Sequence, residues 1–140
     1  MQKIDKEIFY ERLGAYRDAL VTFNKILAEP KDDNNMYLDA SAHRFIYCYE
    51  LTWKSLRRLL KMRGVIVNSP VSTFRSAFAE GWIADKKLYE QMIDDRNTVT
   101  HEYFYEKALD VYNRLPSYLA EMQKLSKKIE EIYLNEPDGI

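Results

Sequence analysis

The sequence has little of what small stapled or metal-built folds depend on. A single cysteine, Cys48, in 140 residues excludes an internal disulfide and any cysteine-rich metal site. Glycine and proline number four each, too few for a turn-rich sheet protein and favourable to long helices. The longest uninterrupted apolar run, Phe45 to Tyr49, falls far short of the ~20 residues that span a bilayer. The chain starts with Lys3, Asp5, Lys6 and Glu7 in place of an apolar leader, so the expectation is a cytoplasmic protein with no membrane partner. An excess of one charge is missing too. The 21 Lys and Arg face 22 Asp and Glu, for a net charge of −1. A surface coated to bind nucleic acid is strongly basic, so any RNA contact here must be local.

What is present is helix. Apolar residues make up 46% and charged residues 31%, the balance of a globular chain. A chain of this length is expected to form one domain that buries about two-thirds of its unfolded surface. Residues 4–28 predict a first helix, because Phe9, Leu13, Tyr16, Leu20, Phe23 and Leu27 step by four and three. Pro30 ends it. Residues 37–63 predict a second, with Leu38, Ala42, Phe45, Ile46, Tyr49, Trp53, Leu56 and Leu60 as its stripe and Gly64 as its stop. Val65, Ile66 and Val67 read as a packed connector. Ser69 and Pro70 start a short third helix that Gly81 closes, with Trp82 and Ile83 tucked inward. Asp85 can cap a fourth helix whose Leu88, Met92 and Val99 point to the core. Residues 107–133 predict a last long helix, faced by Ala108, Val111, Leu115, Leu119, Met122, Leu125, Ile129 and Ile132. Pro116 should kink it, at about 3 kcal/mol if interior. Cys48 reads as core. The expected fold is all-α: an antiparallel up-and-down helical bundle of four long helices plus one short helix, filling residues 1–134 as a single domain with 135–140 a frayed tail.

The chemistry concentrates in Asp94-Asp95-Arg96-Asn97-Thr98-Val99-Thr100-His101-Glu102-Tyr103, at the end of the fourth helix. Arg96 offers a fixed cationic fork and His101 a proton carrier near neutral pH. Asn97 can orient a substrate oxygen, and it shares a ridge with His101 at i,i+4. Arg96 and His101 are five apart, so their Cβ directions differ by about 140°. A common site needs the Arg side chain to fold over, the helix to end near His101, or a second subunit. The last option is favoured and predicts a homodimer, which an excess of eleven tyrosines also suits. Asp94, Asp95 and Glu102 would repel an RNA backbone, so they are expected to hold Arg96 or to be solvated. On the second helix Lys54, Arg57, Arg58, Lys61 and Arg63 form a basic patch, with 54, 58 and 61 on one face. Such a patch is most often a solvated surface; its functional meaning would be an RNA or partner contact. Glu50, one turn before Lys54, can pair with it. His43 reads as structural or solvated. No Glu-x-x-His pair, His-Glu-x-x-His or Gly-rich phosphate loop occurs, so no metal and no cofactor are expected, and the chain is not itself expected to be a nucleotidyltransferase.

Arg96, four intervening residues, His101, one residue and Tyr103 resemble the Arg-x4-His-x-Tyr signature of the HEPN superfamily. The nearer resemblance is to HepT-like toxins and their relatives, the nucleotidyltransferase substrate-binding proteins. It extends through Arg44-Phe45, Glu50-Leu51-Thr52-Trp53-Lys54, Ser69-Pro70, Phe74 to Ile83 and Leu88 to Asp95, so it spans roughly residues 5–130. The resemblance implies a HEPN-like helical domain with metal-independent endoribonuclease activity. Arg96, Asn97 and His101 would be catalytic. His101 would move the 2′-OH proton, and Arg96 would stabilise charge on the phosphorane. Tyr103, with Tyr105 as fallback, would accept AMP from a cognate small nucleotidyltransferase antitoxin, which would block the RNA substrate. The same resemblance allows an alternative: a non-catalytic subunit that binds or presents substrate to that nucleotidyltransferase. A third option is a nucleotide-binding protein in which Arg96 and His101 hold a phosphate without cutting.

Overall fold

The computed structural model describes residues 3–31, 36–101 and 105–136. They form five helices: α1 (Lys3–Ala28), α2 (Met36–Met62), α3 (Pro70–Ala79), α4 (Lys86–His101) and α5 (Tyr105–Asn135). No strand occurs among the described residues.

Local chemistry sets the boundaries. Gly64 and Gly81 take φ of 78° and 79°, a left-handed conformation that costs a residue without Cβ little. Past each glycine the chain bonds back onto the helix it leaves. Val65 N–H donates to the Leu60 carbonyl at 2.9 Å, and Trp82 N–H to that of Ala77 at 3.0 Å. α3 opens with a reciprocal box, in which the Ser72 N–H donates to Ser69 Oγ at 3.1 Å and the Ser69 N–H to Ser72 Oγ at 3.3 Å. Asp85 Oδ1 accepts the Leu88 N–H at 3.0 Å and so caps α4.

Long-range pairs give the helix directions. Tyr16 meets Thr52, Ala19 meets Cys48, and Leu27 meets Tyr37, so α1 and α2 are antiparallel. Phe9 stacks on Tyr133 and Arg17 pairs with Glu130, so α1 and α5 are antiparallel as well. Tyr89 donates to Glu121 while Asp95 holds Arg114, which gives the same relation between α4 and α5. α2 is the hub, in contact with all four other helices. Its Phe45, Cys48, Tyr49, Leu56, Leu59 and Leu60 are buried, against Leu13, Tyr16 and Phe23 of α1 and Leu115, Tyr118 and Met122 of α5. The hydroxyls between α1 and α2 satisfy one another: Tyr16 Oη lies 2.8 Å from Thr52 Oγ1, which donates to the Cys48 carbonyl at 2.7 Å.

Pro116 stands inside α5, as its place in the sequence predicts, and α5 continues beyond it. Its ring lies on the exposed side of the helix, away from the core. Two expectations are adjusted. The Val65–Val67 connector is not packed throughout. Burial differs from residue to residue along it, with Val67 inside and Ile66 68% exposed. Order also reaches into the expected tail, since Asn135 belongs to α5 and Glu136 accepts Arg63 Nε at 2.6 Å. No helix among the described residues is long and apolar enough to cross a membrane.

Candidate functional site

α4 carries two adjacent charged residues, and its 100° step sends them in different directions. Asp95 faces α5 and is buried. Its carboxylate accepts Arg114 Nε and Nη2, each at 2.7 Å, in a two-pronged fork, and it also accepts the Tyr118 hydroxyl. The bond to Asp95 raises the Arg114 pKa, while burial, then the same carboxylate, raises that of Tyr118. The expectation that Asp95 steadies Arg96 or is solvated is therefore corrected: it locks α4 to α5 through Arg114. Asp94 is exposed. Sequence reasoning missed Arg114 and Tyr118. Tyr118 is within its reach, because it lies three residues after Leu115 and four before Met122 on the apolar face.

Arg96 turns instead to α2. Its Nη2 donates to Glu50 Oε1 at 3.4 Å, and its guanidinium lies 5.9 Å from the Tyr49 ring centre. Burial pushes the Tyr49 phenol up to about 12, with Arg96 acting in the opposite sense. Arg96 Nε is buried without a hydrogen-bond partner among the described residues. Glu50 is shared: it accepts Trp53 Nε1 at 3.0 Å and lies 3.9 Å from Lys54 Nζ, the pair the sequence spacing predicts. Asn97 is exposed. Arg96 and Asn97 thus diverge, one toward α2 and the other into solvent. His101 closes α4, but its side chain, like Glu102, Tyr103 and the side chain of Tyr105, lies outside the described residues.

The basic patch of α2 becomes something more specific. Lys54, Arg57, Arg58 and Lys61 line a groove of about 480 Å³, and α1 adds Arg12 to it. The connector supplies the far wall with Val65, Ile66, Val67 and Asn68, and among the described residues no carboxylate lines the groove. Arg57 lies 4.9 Å from the Trp53 ring. Burial, then Arg12 and Arg57, lower the Arg58 pKa, although an arginine so placed stays charged. Arg63 does not join this group; it pairs with Glu80 at 3.3 Å and Glu136 at 2.6 Å. Arg12 carries no signal in the sequence, because only the α1–α2 packing brings it to this face. Among the described residues no group of three His, Cys, Asp or Glu side chains could hold a metal ion.

No curated protein sequence matches this chain. Solved structures do, and two of them are informative. A protein from Thermus thermophilus is 29% identical with a TM-score of 0.74, over 81% of this chain and 98% of its own. A Haemophilus influenzae protein, described as revealing the fold of a substrate-binding domain of a nucleotidyltransferase, is 21% identical with a TM-score of 0.59, over 89% of this chain and 98% of its own. The second likeness concerns fold alone. A family model described as "Nucleotidyltransferase substrate binding protein like" matches residues 11–131, which takes in the Arg96 contacts and the whole basic groove. The chain belongs to that family of nucleotidyltransferase substrate-binding-like proteins.

Proposed function

We propose that this chain is a non-catalytic substrate-binding partner of a separate nucleotidyltransferase. The observation that carries the reading, beside the family match, is the engagement of Arg96. A catalytic guanidinium is held ready for charge that develops on a substrate. Arg96 instead spends a donor on Glu50 and rests against Tyr49. In a partner subunit the α4 end is scaffold, and the work is to hold a substrate close to another protein's active site, where tethering raises its effective concentration. The test is co-expression with a small nucleotidyltransferase from an adjacent reading frame, followed by gel filtration. The two are expected to elute together; separate elution at micromolar concentration would overturn the pairing.

One observation favours a second reading, the metal-independent endoribonuclease toxin. Arg96 Nε is buried with no partner among the described residues, so part of the guanidinium is uncommitted, and His101 ends the same helix. In that reading Arg96, Asn97 and His101 cut RNA within a homodimer, and AMP added to Tyr103 silences the site. RNA cleavage in chelator is the check. Wild type should cut and His101→Ala should not; equal behaviour removes the enzyme. Absence of added AMP mass on the Tyr103 peptide after co-expression removes the modification.

A further inference from the structure

We propose that the groove between α1, α2 and the connector binds a small polyphosphate of the nucleotide class, its phosphates on Arg12, Arg57, Arg58 and Lys61 and its base against Ile66. The proposal deepens the substrate-binding reading, and its biological meaning rests on that reading: the substrate this subunit holds is an anion.

The charge balance argues first. Elsewhere in the fold, four arginines that reach another helix are neutralised there. Arg17 meets Glu130, Arg63 meets Glu80 and Glu136, Arg96 meets Glu50, and Arg114 meets Asp95. In the groove the pattern reverses. Among the described residues Arg12, Arg57, Arg58 and Lys61 have no carboxylate within ion-pair distance, and they converge on one space. Folding brings these like charges together against their mutual repulsion, and the lowered Arg58 pKa has that repulsion among its causes. A chain with a net charge of −1 has ample carboxylate to quench them and does not use it here. Such a focus of positive potential attracts a compact anion.

Size and boundaries argue against a long polymer. On α2, residues 54, 57, 58 and 61 share one face over about 10 Å of helix axis. Just beyond one end stands Glu50, 3.9 Å from Lys54. At the other, Asp5 lines the adjoining depression together with Arg58 and Lys61. A nucleic-acid strand running out of the groove would meet a carboxylate either way. The volume, about 480 Å³, falls in the range of roughly 300–1,000 Å³ that suits a small molecule.

The far wall is apolar. Ile66 is 68% exposed and Val65 is half-buried beside it, an aliphatic surface left in water opposite the cations. Phosphates alone would not use it, whereas a nucleoside would. Asn68 adds an amide at the same edge.

Titration calorimetry on the full chain at low salt tests this with ATP, inorganic triphosphate, adenosine and a short RNA. ATP should bind at one site and weaken as salt rises, triphosphate should compete, and adenosine should not bind. Arg58→Gln with Lys61→Gln should weaken ATP at least tenfold with an unchanged circular-dichroism melt, while Lys127→Gln on α5 changes nothing. Ile66→Ser should weaken ATP and leave triphosphate alone. If the double variant fails to fold, Arg12→Gln, on the other helix, should weaken ATP about threefold. Unchanged ATP affinity in a folded groove variant overturns the proposal, as does binding of RNA without ATP or no binding by wild type. Co-elution with the nucleotidyltransferase is read separately. If the double variant loses ATP but keeps its partner, the groove is a ligand site. If it loses the partner and no ATP binding is seen, the groove is a docking face and the proposal falls while the pairing survives. If wild type binds ATP yet never co-elutes, the pairing falls instead.

Discussion

Two charged places in this fold handle charge in opposite ways. Between α4 and α5, Asp95 is 4% exposed and fully matched: two bonds from Arg114 and one from Tyr118 occupy its oxygens. Between α1 and α2, Arg12, Arg57, Arg58 and Lys61 meet with no carboxylate lining their groove among the described residues. The first arrangement leaves nothing for a ligand to complete; it fixes how α4 lies on α5. The second is incomplete as protein alone. Buried polar groups that satisfy one another specify structure, and charges that do not are available for a partner. Asp95, which the sequence leaves as a support for Arg96 or a solvated residue, falls on the matched side of this divide. The α2 cations, which look like an ordinary solvated face, fall on the other.

Several experiments can break or sharpen this contrast. The largest effect should come at high pH. Burial raises the phenol pKa of Tyr16, Tyr49, Tyr89 and Tyr118, in the case of Tyr49 from 10.0 to about 12. The unfolded chain therefore releases these protons first, and stability present below pH 10 is lost as pH rises toward 12. Far-UV circular dichroism should collapse cooperatively in that window; tyrosine absorbance that titrates fully at pH 10 with helix intact would contradict the sealed core.

Next is Asp95→Ala, which strands Arg114 and a buried phenol. The loss should be about 2–3 kcal/mol in urea unfolding, below the full value for a buried pair because the Arg114 side chain is 34% exposed. A loss under ~0.5 kcal/mol would make the lock ornamental. Arg96→Ala should cost about 1 kcal/mol, since its bond to Glu50 is 3.4 Å long and both side chains keep more than a quarter of their surface in water. A loss matching that of Asp95 would place Arg96 in the same structural class. The smallest effect is expected in the groove. Arg58→Gln with Lys61→Gln relieves repulsion and should leave thermal stability unchanged or raise it by about 0.3 kcal/mol. A marked destabilisation would mean these cations hold the fold, and the contrast between the two places would vanish.

Legibility in the sequence follows from how local each signal is. Gly64, Ser69-Pro70, Gly81 and Asp85 mark helix ends because each acts within a few residues of chain, and each does so in the structure. The stripes of α1 and α2 are legible because burial repeats with the helix period. The Val65–Val67 connector is less legible, because three apolar residues in a row carry no period to say which of them faces inward. Asp95 misled for a different reason. Its neighbour in the chain is Arg96, but its partner is 19 residues away on α5.

By itself, then, the sequence determined the all-α fold, the helix ends and the faces turned inward, since these depend on periodicity and on chemistry within one turn. Only the tertiary structure decided which charges are matched between helices. Ion pairing depends on distances between helices, and packing alone sets those: it carries Arg114 to Asp95, Glu50 to Arg96, and Arg12 to a face where no described carboxylate neutralises it.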